Sequence, residues 1–129
     1  GGTGTDAPTR MITQVTDGVD AKLASEGNLI YLRNIQVAVN EAGDASLVGT
    51  IVNQKNTKEA LLALAINQMQ IKLSAIPTPQ NQPVIFGGPS ANAIATIPNS
   101  GLVAGNRTKV SFFFGLAGTV SVDALVVHA

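Results

Sequence analysis

A chain of 129 residues and 13.2 kDa can bury about two-thirds of its surface around one core, which argues for a single domain rather than two. Hydrophobic residues make up 45% of it, excluding a disordered chain, and charged residues only 12%, the 8 basic and 8 acidic side chains cancelling; with no net field and no Trp, nucleic acid is excluded as a partner. Cysteine is absent, which removes disulfides, thiolate metal sites and thiol nucleophiles, and the apolar runs fall far short of a membrane span.

The opening stretch, residues 1–10 (GGTGTDAPTR), holds little that can be buried. Such a composition does not offset the entropy of ordering the backbone and reads as a tether. Residues 11–16 (MITQVT) are short and β-branched and close on Asp17-Gly18, a turn signal, so they are expected to form an edge or stalk strand. The flexible stalk is accordingly expected over 1–27 and the folded domain over 28–129.

Residues 29–39 (LIYLRNIQVAV) alternate over Ile35, Val37 and Val39 with Asn34 and Gln36 opposite, the period of a half-buried strand. A polar turn at 40–44 follows, and 46–54 (SLVGTIVNQ) returns antiparallel. Residues 56–73 carry two competing patterns. Asn56 and Glu59 have capping-box spacing ahead of good helix formers, whereas Leu62, Leu64 and Ile66 alternate, and Met69, Ile71 and Leu73 resume the alternation with shifted phase. A two-residue turn at Asn67-Gln68 would pair Ile66 with Met69, Leu64 with Ile71 and Leu62 with Leu73 on one face, and the hairpin is the better fit.

Residues 76–89 are rich in Pro and Gly and read as a loop in which Val84, Ile85 and Phe86 form a short edge segment. A short strand over 93–97 ends at Pro98. The closing hairpin runs over 108–115 and 119–127, with Val110, Phe112 and Phe114 facing one way and Val120, Val122 and Val126 packing likewise. About seven to nine short strands with turns between them predict an all-β, immunoglobulin-like or cupredoxin-like antiparallel sandwich.

Three segments carry a family resemblance: LRNIQV at 32–37, VGTIVNQKNTKEALLAL at 48–64, and the ending LVAG (102–105), TKVSFFF (108–114) and GTVSV (118–122). Over roughly 29–127 the chain resembles the bacterial copper chaperones that serve the Cu(A) site of cytochrome oxidase and the actinobacterial envelope lipoproteins that share their sandwich. The chaperones bind Cu(I) through Met and His, soft ligands suited to that ion; here no His-x-Met pair occurs, and Met69 is the only Met or His in the segment after Leu64. The lipoprotein branch implies an acylated Cys immediately before Gly1, an extracytoplasmic, lipid-anchored location, and a role as accessory subunit of the respiratory cytochrome bcc-oxidase supercomplex.

Met11, Met69 and His128 are the candidate soft metal ligands, although Met69 is also the apolar partner of a hairpin and His128 sits one residue from the end. No Gly-x-Ser-x-Gly, Ser-x-x-Lys or His-Glu-x-x-His pattern occurs, so no catalytic residues are assigned and the chain is read as no enzyme, with no resident cofactor. Alternation turns Phe113 away from the face used by Phe112 and Phe114, which makes it, with Ile85 and Phe86, the candidate interface. The leading expectation is therefore a non-catalytic, membrane-anchored interaction subunit. A periplasmic copper or small-ligand carrier stands second, and a self-assembling surface protein third.

Overall fold

The computed structural model describes residues 9–14, 19–71 and 73–129 of the chain, and none of these is helical. Eleven strands form one continuous hydrogen-bonded network that curls into two layers: β1 Thr9–Gln14, β2 Val19–Ser25, β3 Asn28–Val39, β4 Ala45–Asn53, β5 Ala60–Ile66, β6 Met69–Ile71, β7 Ile76–Pro77, β8 Val84–Phe86, β9 Thr96–Ile97, β10 Arg107–Phe114 and β11 Gly118–His128. One layer runs β1-β2-β3-β4, with β8 and β9 on the far edge of β4; the other runs β11-β10-β5-β6, with β7 beside β5. The all-β sandwich agrees with the alternation in the sequence.

The layers join where β3 and β11 pair in parallel, Gln36 to Val39 against Leu125 to His128. This is the departure from the expected antiparallel arrangement: the two strands are separated by most of the chain, and no short turn dictates their direction. β3 serves both layers because it bends at a bulge. Arg33 pairs with Thr50 but Gln36 with Val48, so one extra residue is inserted, and Asn34 takes a left-handed conformation (φ 53°) with its N–H donated to Asp20 Oδ1 at 2.8 Å. Leu32 and Ile35 then both point inward, which simple alternation through Asn34 does not predict. Gly49 lies against the bulge at φ 145°, where a Cβ would stand 2.5 Å from Ile35 Cδ1, so only glycine allows the close approach.

Between the layers the core is filled by Leu23, Ile30, Leu32, Ile35, Leu47, Ile51, Leu61, Leu64, Ile66, Phe86 and Phe112, all fully buried. The expected stalk is corrected here. Residues 19–25 form β2, pair with β3 and send Val19, Ala21 and Leu23 into the core. Asp20 and Lys22 alternate with them, so the period of two is present in the sequence, in a short run whose only large apolar side chains are Val19 and Leu23. The strand expected over 11–16 is described at 9–14, at the sheet edge against β2; residues 1–8 and 15–18 of the expected tether lie outside the described residues.

For 56–73 the hairpin prevails over the helix. Ile66 pairs with Met69 and Leu64 with Ile71 around Asn67 and Gln68, whose φ values of 52° and 65° suit a tight hairpin turn twisted like its strands. Leu62 departs from the expectation, since β6 ends at Ile71 and a bulge in β5 leaves both Leu61 and Leu64 inward while Leu62 is 49% exposed. The outer edge of β4 is covered by β8, by β9 and by the Leu47 N–H donated to Ala95 O at 2.9 Å. Asn92 secures that cover, accepting from Ile85 N–H at 2.7 Å and donating to Pro83 O at 3.0 Å.

Candidate functional site

Strand register decides which candidate ligands can meet. Met69 pairs with Ile66, Ile66 with Val110 and Val110 with Val122, so Met69 stands level with Val122, six residues before His128 on β11. At roughly 3.3 Å per residue that is about 20 Å along the strands. Met69 packs against the core, as the hairpin pairing implies. The backbone of Met11 pairs with Lys22, which pairs with Tyr31; Tyr31 lies eight residues before Val39, the partner of His128, or about 25 Å. Met69 and His128 are not brought together, and β1 carries Met11 to a third place.

His128 instead borders a cleft of about 670 Å³ at one end of the sandwich, with Val39, Glu41, Leu102, Val103 and Ala104 among its lining. Its rims are fixed by local hydrogen bonds. The turn after β3 is tied by Asp44 N–H donating to Asn40 Oδ1 at 2.9 Å and Gly43 N–H to Asn40 O at 3.0 Å, and Ser100 Oγ reaches across to Gly43 O at 2.8 Å. The opposite rim is held by Gly105 N–H on Val126 O and Val126 N–H on Asn106 O, both 2.8 Å. One imidazole and one carboxylate thus border an apolar-walled cleft, a composition that suits holding a ligand.

The other end is organised by two buried polar side chains. Glu59 is 3% exposed, and its carboxylate accepts from the N–H groups of Ala60 (2.9 Å) and Leu116 (2.8 Å) at Oε1 and of Ala117 (2.7 Å) at Oε2. The chain before β5 is thereby clasped to the turn between β10 and β11. Asn53, fully buried, donates to Thr78 O at 2.8 Å and Thr57 Oγ1 at 3.2 Å and accepts from Lys55 N–H at 3.0 Å. Between these loops opens a second cleft of about 680 Å³, bordered by Asn56, Lys58, Pro77, Pro79 and Gln80. Glu59, half of the capping box that its spacing from Asn56 suggests, therefore serves a strand-to-turn clasp, while Asn56 is exposed.

Of the interface candidates, Phe113 and Ile85 are half-buried, as is usual on an outward sheet face, Ile85 being paired with Thr50 of β4. Phe86 is corrected: it is 1% exposed and packs in the core, because β8 pairs with β4 and turns Phe86 inward together with Val84. Sequence reasoning missed Leu62 and Leu116, 49% and 50% exposed beside Gly115. It also missed the buried roles of Asn53 and Glu59, for which the one local signal is a polar residue at each boundary of the 54–59 loop.

No family model matches the chain, and no curated protein matches it. Solved structures do. The apo PCuAC domain from PmoF1 superimposes with a TM-score of 0.63 at 16% identity, covering 92% of this chain and 100% of that one. The copper-bound PCuAC domain from PmoF2 gives 0.61 at 16% identity over 84% and 98%, and its apo form 0.61 at 16% over 83% and 94%. The likeness is one of fold: the sandwich of the periplasmic copper-chaperone domains. The described residues do not gather a Met and His donor set at one point, so a copper site built from Met69 and His128 together does not fit this chain.

Proposed function

We propose that this chain is a non-catalytic, extracytoplasmic carrier module of the copper-chaperone type, its cargo copper or another small ligand. The observation that carries the reading is the fold likeness to PCuAC domains, over 92% of the chain for an apo domain and 84% for a copper-bound one. Cargo rides in the cleft bordered by His128 and Glu41. An imidazole with a carboxylate suits a borderline ion such as Cu(II) better than the thioether set that Cu(I) prefers. Thermal unfolding with and without each copper oxidation state tests this. Tenfold excess copper over the dissociation constant stabilises by about 1.4 kcal/mol, which is a rise of roughly 4–7 °C at this chain length, and His128→Ala abolishes it. No rise in the parent chain with either ion, together with no copper retained on dialysis, removes the metal reading.

A second reading, that of a lipid-anchored accessory subunit of a membrane complex, is favoured by the exposed pair Leu62 and Leu116, since apolar side chains grouped at a surface mark a contact site. Mild-detergent isolation of the precursor from native membranes, with mass spectrometry of the N-terminus and companions, separates the two. A diacylated Cys before Gly1 together with respiratory-chain subunits supports the anchored role; an unmodified chain without companions supports the carrier.

A further inference from the structure

The cleft beside the Glu59 clasp has two walls that are tied to each other. Thr78 is fully buried; its N–H donates to Glu59 O at 2.9 Å and its carbonyl accepts from Asn53 Nδ2 at 2.8 Å. Gln80 Nε2 donates to Gln54 O at 3.1 Å, a third link from the 77–80 segment to the loop before β5. Pro77 and Pro79 flank Thr78 and are exposed, so this wall presents two fixed rings that carry no N–H. On the facing wall Glu59 is the one acid, and its carboxylate is already occupied by the three N–H groups of the clasp. Lys58 is the one cation of the lining and is exposed. Among the described residues, neither its ammonium nor the side-chain amide of Asn56 has a hydrogen-bond or ion-pair partner.

We infer that this cleft binds a monocarboxylate with an apolar body. Its volume of about 680 Å³ lies within the ~300–1,000 Å³ of small-molecule sites. The Lys58 ammonium and the Asn56 amide donate to the carboxylate, and the apolar body lies on the rings of Pro77 and Pro79 and the methyl group of Ala60. One ammonium balances one negative charge, which favours a carboxylate over a phosphate, whose second charge and further oxygens call for more donors than the lining holds. A neutral ligand of the same shape forgoes the charged contact, and a cationic one meets Lys58 with like charge. Because buried hydrogen bonds already hold both walls, little further ordering is needed on binding, and a ligand of about a dozen heavy atoms binds on the order of 0.1–1 mM. The cleft lies at the opposite end of the sandwich from His128, so binding here is independent of any cargo there.

Amide NMR of the isotope-labelled full chain, titrated with phenylbutyrate to about 10 mM, reads binding and its place together. The expected result is saturable shifts at Asn56, Lys58, Ala60 and Gln80, with phenylbutanol and phenylbutylamine bound at least ~5-fold more weakly by the parent chain. Lys58→Gln weakens phenylbutyrate ~5-fold and Lys58→Arg keeps it within ~2-fold, whereas Lys109→Gln, at an exposed position on β10, leaves it unchanged. Acetyl-glycyl-phenylalanine, with its C-terminal amide as the uncharged control, tells the two sources of such a group apart: binding tighter than phenylbutyrate assigns the site to a chain terminus, and weaker binding to a free acid. Absence of shifts at these four residues overturns the proposal. So does equal binding of the alcohol, displacement by inorganic phosphate at equal concentration, or an affinity that Lys58→Gln leaves unchanged.

Discussion

Replacing Glu59 by Gln keeps the side chain's size and removes one acceptor. In the parent chain Oε1 receives two N–H groups and Oε2 receives Ala117 N–H at 2.7 Å. A glutamine can keep its oxygen toward Ala60 and Leu116, but its amide nitrogen then faces the Ala117 N–H, donor against donor. Ala117 is buried, so that N–H has no water to turn to. An orphaned buried donor costs about 1–3 kcal/mol, and bonds to a charged acceptor are stronger than those to a neutral one by about 1 kcal/mol, which together give roughly 2–4 kcal/mol. A chain of this length loses roughly 3–5 °C in Tm per kcal/mol, so a fall of about 6–20 °C is expected. Thermal unfolding reads that fall, and urea unfolding followed by far-UV circular dichroism reads the free-energy loss, with the slope unchanged if only the native state is affected. Glu41→Gln, at an exposed turn position, stays within about 0.5 kcal/mol of the parent. Unfolding of Glu59→Gln within about 0.5 kcal/mol of the parent, with the Ala117 amide keeping its protection from hydrogen exchange, would refute this role of the carboxylate.

Two further substitutions probe the bends that give the sandwich its shape. Gly49→Ala puts a Cβ 2.5 Å from Ile35 Cδ1 and 3.1 Å from Arg33 O at φ 145°, and a loss of about 2–4 kcal/mol in urea unfolding is expected from strain and overpacking combined; a loss below 1 kcal/mol would mean that the bulge can relax. Gln68→Gly removes a side chain from a left-handed turn position at φ 65° and should stabilise by about 0.5–1 kcal/mol, raising Tm by a few degrees. A neutral or destabilising result there would show that the Gln68 side chain makes contacts worth as much as the backbone strain it imposes.

How much of this protein is written locally can be judged from particular elements. The period of two in 35–39, 110–114 and 120–126 marks which side chains are inward, because adjacent residues in a strand face opposite ways whatever lies beyond them. The shifted phase around Asn67-Gln68 likewise contains the hairpin, since a two-residue turn sets the register of both its strands. Near neutrality and the absence of cysteine narrow the chemistry before any fold is known.

Other features depend on residues far apart in the chain. The parallel contact of β3 with β11 and the bulge at Asn34 that permits it require Asp20, Gly49 and Ile35 to converge. Glu59 looks like a helix cap until the turn at 115–118, some 57 residues later, arrives to donate its N–H groups. The same holds for the ligand candidates. Met69 and His128 are compatible in chemistry, and only the ladder from β6 through β5 and β10 to β11 separates them, while His128 and Glu41 are brought to one cleft by the parallel pair. Between bulges, local alternation determines the face a side chain takes; closure of the sheet, which depends on hydrogen bonds between distant strands, determines its neighbours and places the bulges at Asn34 and in β5 that reset the alternation.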